Sequence, residues 1–488
     1  MITDFTKILT TEVSHPFCSA VKRCNMEQYG YVEEEYLFEG TANIYRTGMD
    51  GRPEAEYTEQ PYTNRFIVRY PADAETFSGN VAVEITNSTA NFDIERVWAE
   101  NYRYLMRHGH IYVGVTSKPN VFPALKKFDR ERYGALNWPN PAYGIKPAPE
   151  AAEKVALLGA EDQEMGYIWD ILLEMPAFLK SKTAQNPLAA FHVERVYLTG
   201  WSQSCSYINR LLNSFIYPDK RPAEPIYDGY LAAGGVHALG TPLNRYECNA
   251  PMDSMEKRID YCPVPLIELN TESENSDEGG YGGYSARRAD SDEPGFCYRY
   301  MEIAGSCHDS VHSCRDYSRF DGDVEKALGF KLAGFDRISA PNDYPKHFAF
   351  HVAMHDLFLW AEKGAAPVHI PRIRQTADGR NLKDAFGNSI GGLRTPLLEL
   401  PVARYVSGVK MPGADGGPTM NYLMGYDEYF SAEFLNELYT DDEMYRERVR
   451  ETVLWEVKHG MVLAEDAEEL ENYTVETAIS HGLHKRSG

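Results

Sequence analysis

The chain has 488 residues, 43% of them hydrophobic and 25% charged, values of a globular protein that exclude a disordered, collagenous or coiled-coil chain. No apolar run approaches the ~20 residues that a membrane-spanning helix needs. Lys plus Arg number 49 and Asp plus Glu 72, a formal charge of −23 whose field repels phosphate backbones and anionic lipid heads. Neither nucleic acid nor a membrane surface is therefore expected as a partner, and a strongly anionic substrate would need a local basic pocket.

Eight cysteines are sparse for this length, and no C-x-x-C pair occurs; Cys18/Cys24 and Cys307/Cys314 are spaced wrongly for a ribbon-type zinc site. The first residues carry Asp4, Lys7 and Glu12 where a signal peptide needs an unbroken apolar stretch, so reduced thiols and a cytoplasmic location are expected. The length exceeds the ~100–200 residues usual for a domain, yet neither a repeat nor a clean linker is visible. The reading is one elaborated domain over 1–488, with an N-terminal β-rich extension at 1–75 and a loop-rich, then helical extension at 365–488.

In chain order, short β-like runs at Tyr29–Tyr36 and Arg65–Tyr70 are broken by Gly and Pro. A strand follows at Val81–Thr86, a helix over 93–108 and a strand at Ile111–Val115. Residues 121–150, with five prolines, read as an irregular insertion. A helix over 163–181 leads to a strand at Arg195–Thr199 and a helix over 203–215. Further strands are expected at Tyr230–Ala233, Val264–Leu269 and Tyr298–Ala304. Strands of four to six apolar residues alternating with helices predict an α/β fold, a mostly parallel central sheet flanked by helices. The segments 121–150, 206–262 and 275–296 are read as cap-forming insertions. In such sheets chemistry gathers at the C-terminal ends of the strands.

Gly200-Trp201-Ser202-Gln203-Ser204 lies between a strand and a helix, where a nucleophilic serine sits on a tight turn with small residues two before and two after it. Taken alone, the pentapeptide fits an N-capping serine equally well; its strand–helix setting favours the nucleophile. A serine nucleophile needs a base, and the base a carboxylate to orient it, in the chain order Ser, acid, His on this kind of sheet. The strand at Val264–Leu269 runs into Glu272 and Glu274, of which Glu274 reaches further into the turn and is the preferred acid, Glu272 the alternative. The strand at Tyr298–Ala304 runs into His308, the expected base. The backbone N–H of Gln203 is the expected first oxyanion donor, and the loop Asn87-Ser88-Thr89 the source of a second.

The sequence resembles a family of large bacterial and fungal alpha/beta hydrolase domain proteins. The resemblance is carried by Glu39–Tyr45, by Val81–Thr86 with Asn87-Ser88 and Phe92-Asp93, and by Gly200–Ser204. It continues in Glu302–His308, Gly391–Pro396 and Leu463–Ala467, and so covers most of the chain. It implies an α/β-hydrolase fold with a serine triad and no particular substrate. The match over Glu302–His308 supports His308 as base, whereas Glu274 stands where the family often has Asp.

His347, His351 and His355 recur every four residues, but no Glu follows the first two as a zincin requires, so a packed helix is preferred over a metal site. Asp309 and His312 read as loop residues, and Gly279–Gly283 as a flexible loop rather than a phosphate cradle. The tyrosine-rich aromatic set suits a mid-sized organic substrate. The expected function is hydrolysis of a carboxylic ester of a small molecule through an acyl-enzyme, without metal or organic cofactor. The rivals are an acyltransferase with the same triad and a catalytically silent binding protein. A homo-oligomer is compatible with the sequence.

Overall fold

Strands that must be buried on both faces need apolar residues along their whole length, and NVAVEI (Asn80–Ile85, β4), IYVGV (Ile111–Val115, β5) and GYLAA (Gly229–Ala233, β7) are buried at every position. With RVYLTGW (Arg195–Trp201, β6) they form the parallel centre of the sheet: β4 pairs with β5 and β6, and β6 with β7, all parallel. The computed structural model describes residues 1–147, 159–235, 241–247, 259–275, 287–311, 322–331, 338–408 and 423–485. The chain divides into two compact units. The first comprises Met1–Leu266, Asp292–Cys297 and Arg315–Leu332, the second Ile267–Ser291, Tyr298–Cys314 and Ala333–Gly488.

In the first unit the sheet begins with three antiparallel strands, β1 (Ile2–Ile8), β2 (Tyr31–Thr47) and β3 (Pro53–Pro71), and β3 joins the parallel centre through β5. The short runs expected here are thus parts of a 17- and a 19-residue strand. Gly40 and Pro61 do not break them. Pro61 lies opposite Thr41 in the ladder, and a Cβ on Gly40 would come within 2.5 Å of the Met1 carbonyl, so the glycine answers to close backbone approach rather than to a turn.

Helix α1 (Arg96–Arg107) crosses from β4 to β5 and is tied to the sheet by Glu84 of β4, whose carboxylate accepts from the N–H groups of Val97 and Trp98, 2.9 Å each, and from the Tyr112 hydroxyl. These are N–H groups that a helix start leaves unpaired. Within 121–147 the chain is not irregular: α2 (Phe122–Phe128) and α3 (Arg130–Tyr133) form, with Pro123 in the first turn of α2, where a missing N–H is harmless. Helix α4 (Ile168–Lys180) precedes β6. Helix α5 (Gln203–Arg210) follows β6 directly and continues as a π-helical turn over Leu211–Ile216, burying Tyr207, Ile208, Leu211 and Leu212. That segment and β7 are body rather than insertion, because their apolar positions are needed under and within the sheet.

Strand β8 (Cys262–Thr271) leaves the first unit after Leu266, and in the second it neighbours β10 (Phe296–Ile303); the short β9 (Ser291–Glu293) lies between them in sequence. The second unit also holds helix α6 (His347–Lys363) and the packed pair α7 (Asp442–Lys458) and α8 (Ala467–Ser480). No helix among the described residues is long and apolar enough to cross a membrane.

Candidate active site

Each unit carries part of the expected constellation. In the first, β6 turns into α5 at Ser202, whose φ of 58° and ψ of −120° lie where L-residues with a Cβ are strained. An N-capping serine sits in extended backbone and accepts from the helix's first turn; Ser202 does neither, and no side-chain cap bond forms. Its amide donates to the Ala233 carbonyl at 2.8 Å and its carbonyl accepts from Cys205 at 3.0 Å, so the turn is pinned on both sides. A Cβ on Gly200 would lie 2.8 Å from the backbone of Ser204, and one on Gly234 2.7 Å from the Trp201 ring. These contacts explain the small residues the turn demands. Ser204 fits because its buried hydroxyl donates to the Thr86 carbonyl at 3.3 Å.

The loop after β4 braces the same turn. Asn87 Nδ2 donates to the Trp201 carbonyl at 3.0 Å, and its Oδ1 accepts from Thr89 N at 2.9 Å. Asn87 therefore holds the carbonyl just before the serine. Ser88 Oγ donates to Gln203 Oε1 at 3.2 Å. Gln203 is the first residue of α5, where an N–H has no acceptor within its own helix.

In the second unit, β8 ends in a 3-10 turn, Glu272–Glu274, closed by a reciprocal capping box between Thr271 and Glu274. Glu274 Oε2 accepts from Thr271 Oγ1 at 2.8 Å, and Oε1 lies 2.7 Å from His308 Nδ1. His308 is buried; its N–H donates to Ser273 Oγ at 3.0 Å, and Lys346 Nζ donates to its carbonyl. A carboxylate only accepts, so Nδ1 donates in this bond and the ring is held in one orientation. Glu272 points elsewhere: it accepts from Gly305 N at 2.8 Å, Lys383 Nζ at 2.7 Å and Ser389 Oγ at 2.7 Å. Burial pushes its carboxyl up, but the Lys383 ammonium and these donors hold it below the ordinary value.

The structure thus brings Asn87, Ser88, Ser202 and Gln203 together in one unit, and Glu274 with His308 in the other. Ser273 and Lys346, which fix the backbone of His308, carried no signal in the sequence because both act through turn geometry. Of the histidine series on α6, His351 Nδ1 lies 2.7 Å from Asp466 Oδ2 and His347 Nε2 3.6 Å from Glu469. Among the described residues no three His, Cys, Asp or Glu side chains could hold a metal ion. Asp309 is buried, with its N–H on the Leu423 carbonyl. His312 and Gly279–Gly283 lie outside the described residues, as do parts of the expected cap at 148–150, 236–240, 248–258 and 276–286.

A parallel sheet whose strand-to-helix turn carries a strained serine is the framework of an α/β hydrolase. The chain belongs to the alpha/beta hydrolase domain family, whose model matches residues 5–472. Solved structures similar to it include a fungal esterase from Rhizomucor miehei, at 11% identity, 70% of this chain, 89% of that chain and a TM-score of 0.33. Two others are the siderophore hydrolase EstA from Aspergillus nidulans (14%, 63%, 96% and 0.29) and an esterase from the archaeon Pyrobaculum calidifontis (11%, 58%, 81% and 0.28). No curated protein sequence matches this chain.

Proposed function

We propose that the protein is a serine hydrolase that cleaves a carboxylic ester of a small organic molecule, with Ser202 as nucleophile, His308 as general base and Glu274 as the acid that orients it. The observation that carries the reading is the conformation of Ser202: φ 58° with ψ −120° on a strand-to-helix turn, without capping the helix, is a strained backbone of the kind that clusters at active sites. The hydrogen bond from His308 to Glu274 supports it from the second unit.

Ser202 Oγ attacks the ester carbonyl carbon as its proton passes to His308 Nε2. The oxyanion accepts from the N–H of Gln203 and from the N–H of Ser88, since that of Asn87 is taken by the Ile94 carbonyl. The tetrahedral intermediate collapses, the C–O bond breaks and His308 returns the proton to the departing alcohol. Water then attacks the acyl-enzyme, giving its proton to His308, and the carboxylic acid leaves as Ser202 regains its hydrogen. The route needs no metal or organic cofactor. The net acidity disfavours nucleic acid and membrane surfaces as partners, and the sparse cysteines suit a reducing cytoplasm.

Labelling with a fluorophosphonate probe tests this reading. Wild type should label, and Ser202→Ala and His308→Ala should not. A folded wild type that stays unlabelled would make the silent binding protein the better account. Product analysis with added alcohol or amine acceptors separates hydrolysis from acyl transfer.

A further inference from the structure

The loop that follows β5 places Lys118 at the same edge of the sheet as the nucleophile turn. Strands β4, β5 and β6 run parallel side by side, so the residues just past their ends share one edge. Three residues past β5, Lys118 is joined to that edge by its neighbours. Ser117 Oγ donates to the Thr86 carbonyl at 2.7 Å, and Asn120 Nδ2 to the Ser88 carbonyl at 2.8 Å. Ser88 in turn holds Gln203.

Lys118 is only 5% exposed, and its ammonium lies over the ring of Tyr207, 5.6 Å from the centroid, one helical turn beyond Gln203. Among the described residues no carboxylate pairs with it, and burial alone pushes its amine down to about 7. The Tyr207 hydroxyl is buried too, with no hydrogen-bond partner among the described residues. Burying a cation without a counter-charge is strongly unfavourable, and an orphaned buried hydroxyl adds to the cost. An anion entering at this edge of the sheet would give the ammonium its counter-charge and the hydroxyl an acceptor.

We propose that Lys118 and Tyr207 form a carboxylate-recognition site, so that the preferred substrates are hemiesters, whose second carboxylate is held there while the ester carbonyl faces Ser202. This rests on Ser202 being the nucleophile. It also supplies the local basic pocket that an anionic substrate needs in a chain of charge −23.

The test compares p-nitrophenyl hemisuccinate with the neutral p-nitrophenyl butyrate. Wild type should favour the hemisuccinate by tenfold or more in kcat/KM. Lys118→Met, of similar shape, should bring that ratio towards one, and Tyr207→Phe should lower it several-fold. The ratio is internal to each variant, so a general loss of folded enzyme cannot mimic the result. A wild type that treats the two esters alike, or a ratio that survives in Lys118→Met, overturns the proposal. Calorimetry of glutarate binding to Ser202→Ala, with and without Lys118→Met, keeps this question apart from the nucleophile. Binding that disappears with Lys118 upholds the site even if no fluorophosphonate labelling is seen, and equal or absent binding to both refutes it.

Discussion

His308 Nδ1 and Glu274 Oε1 stand 2.7 Å apart with both side chains buried, while Glu272, two residues earlier, faces Lys383 and Ser389 instead. A 3-10 turn rotates successive side chains by about 120°, so residues two apart diverge and only one carboxylate of this turn can meet the imidazole. Glu274→Gln is expected to lower kcat by ~10²–10⁴-fold with KM little changed, because the amide can hold the wrong histidine tautomer. Glu272→Gln should instead lower Tm by about 2–5 °C through the lost Lys383 pairing, with kcat reduced less than tenfold. Steady-state kinetics and thermal melts of the two variants decide the matter; the reverse pattern would make Glu272 the acid.

Ser202 stores backbone strain that can be measured without a substrate. A glycine there removes the Cβ that disfavours φ 58°, ψ −120°, whereas alanine keeps it. Ser202→Gly is expected to be more stable than Ser202→Ala by about 1 kcal/mol in urea unfolding, with both variants unlabelled by fluorophosphonate. Equal stabilities would mean that the turn is relaxed.

The parallel centre of the sheet was legible because strands buried on both faces carry unbroken apolar runs such as Val81–Thr86 and Ile111–Val115. The tight turn at Ser202 was legible because Gly200 and Ser204 mark backbone crowding. The preference for Glu274 over Glu272 came from its depth in the turn, but its capping box with Thr271 was not foreseen. The long hairpin of β2 and β3 was missed, since Gly40 and Pro61 look like breakers until the Met1 carbonyl and the pairing of Thr41 with Pro61 are seen. Lys118 went unnoticed for a related reason. A lysine after a strand looks solvated, and only the tertiary packing shows it buried under Tyr207.

Asn87 supports the turn from the neighbouring loop by donating to the Trp201 carbonyl. Asn87→Asp keeps the shape but cannot donate, and it sets a negative charge against that carbonyl. Its kcat should fall by ~10–100-fold, through misplacement of Ser202 and Gln203. Fluorophosphonate labelling rates should fall in the same proportion, since both report the nucleophile. A normal labelling rate would show that the turn holds its geometry without this bond.

Glu164 gives the protein a pH-dependent weakness that a single substitution should remove. Its buried Oε1 accepts from the N–H groups of Met165, Gly166 and Arg245 at 2.8, 3.0 and 2.8 Å, and burial pushes its carboxyl up to about 7 despite those donors. The folded state therefore keeps a proton that the unfolded chain releases near its ordinary value of 4.5, so stability falls as pH rises from about 4.5 to about 7 and falls no further above it. A glutamine oxygen accepts the same three bonds and has no proton to lose. Glu164→Gln should match wild type near pH 5 and exceed it at pH 8 by on the order of 2 kcal/mol. Urea unfolding at the two pH values checks this. Stability curves that run parallel for the two proteins, or a variant weaker at pH 8, would mean that the Arg245 guanidinium keeps Glu164 ionised in the folded state.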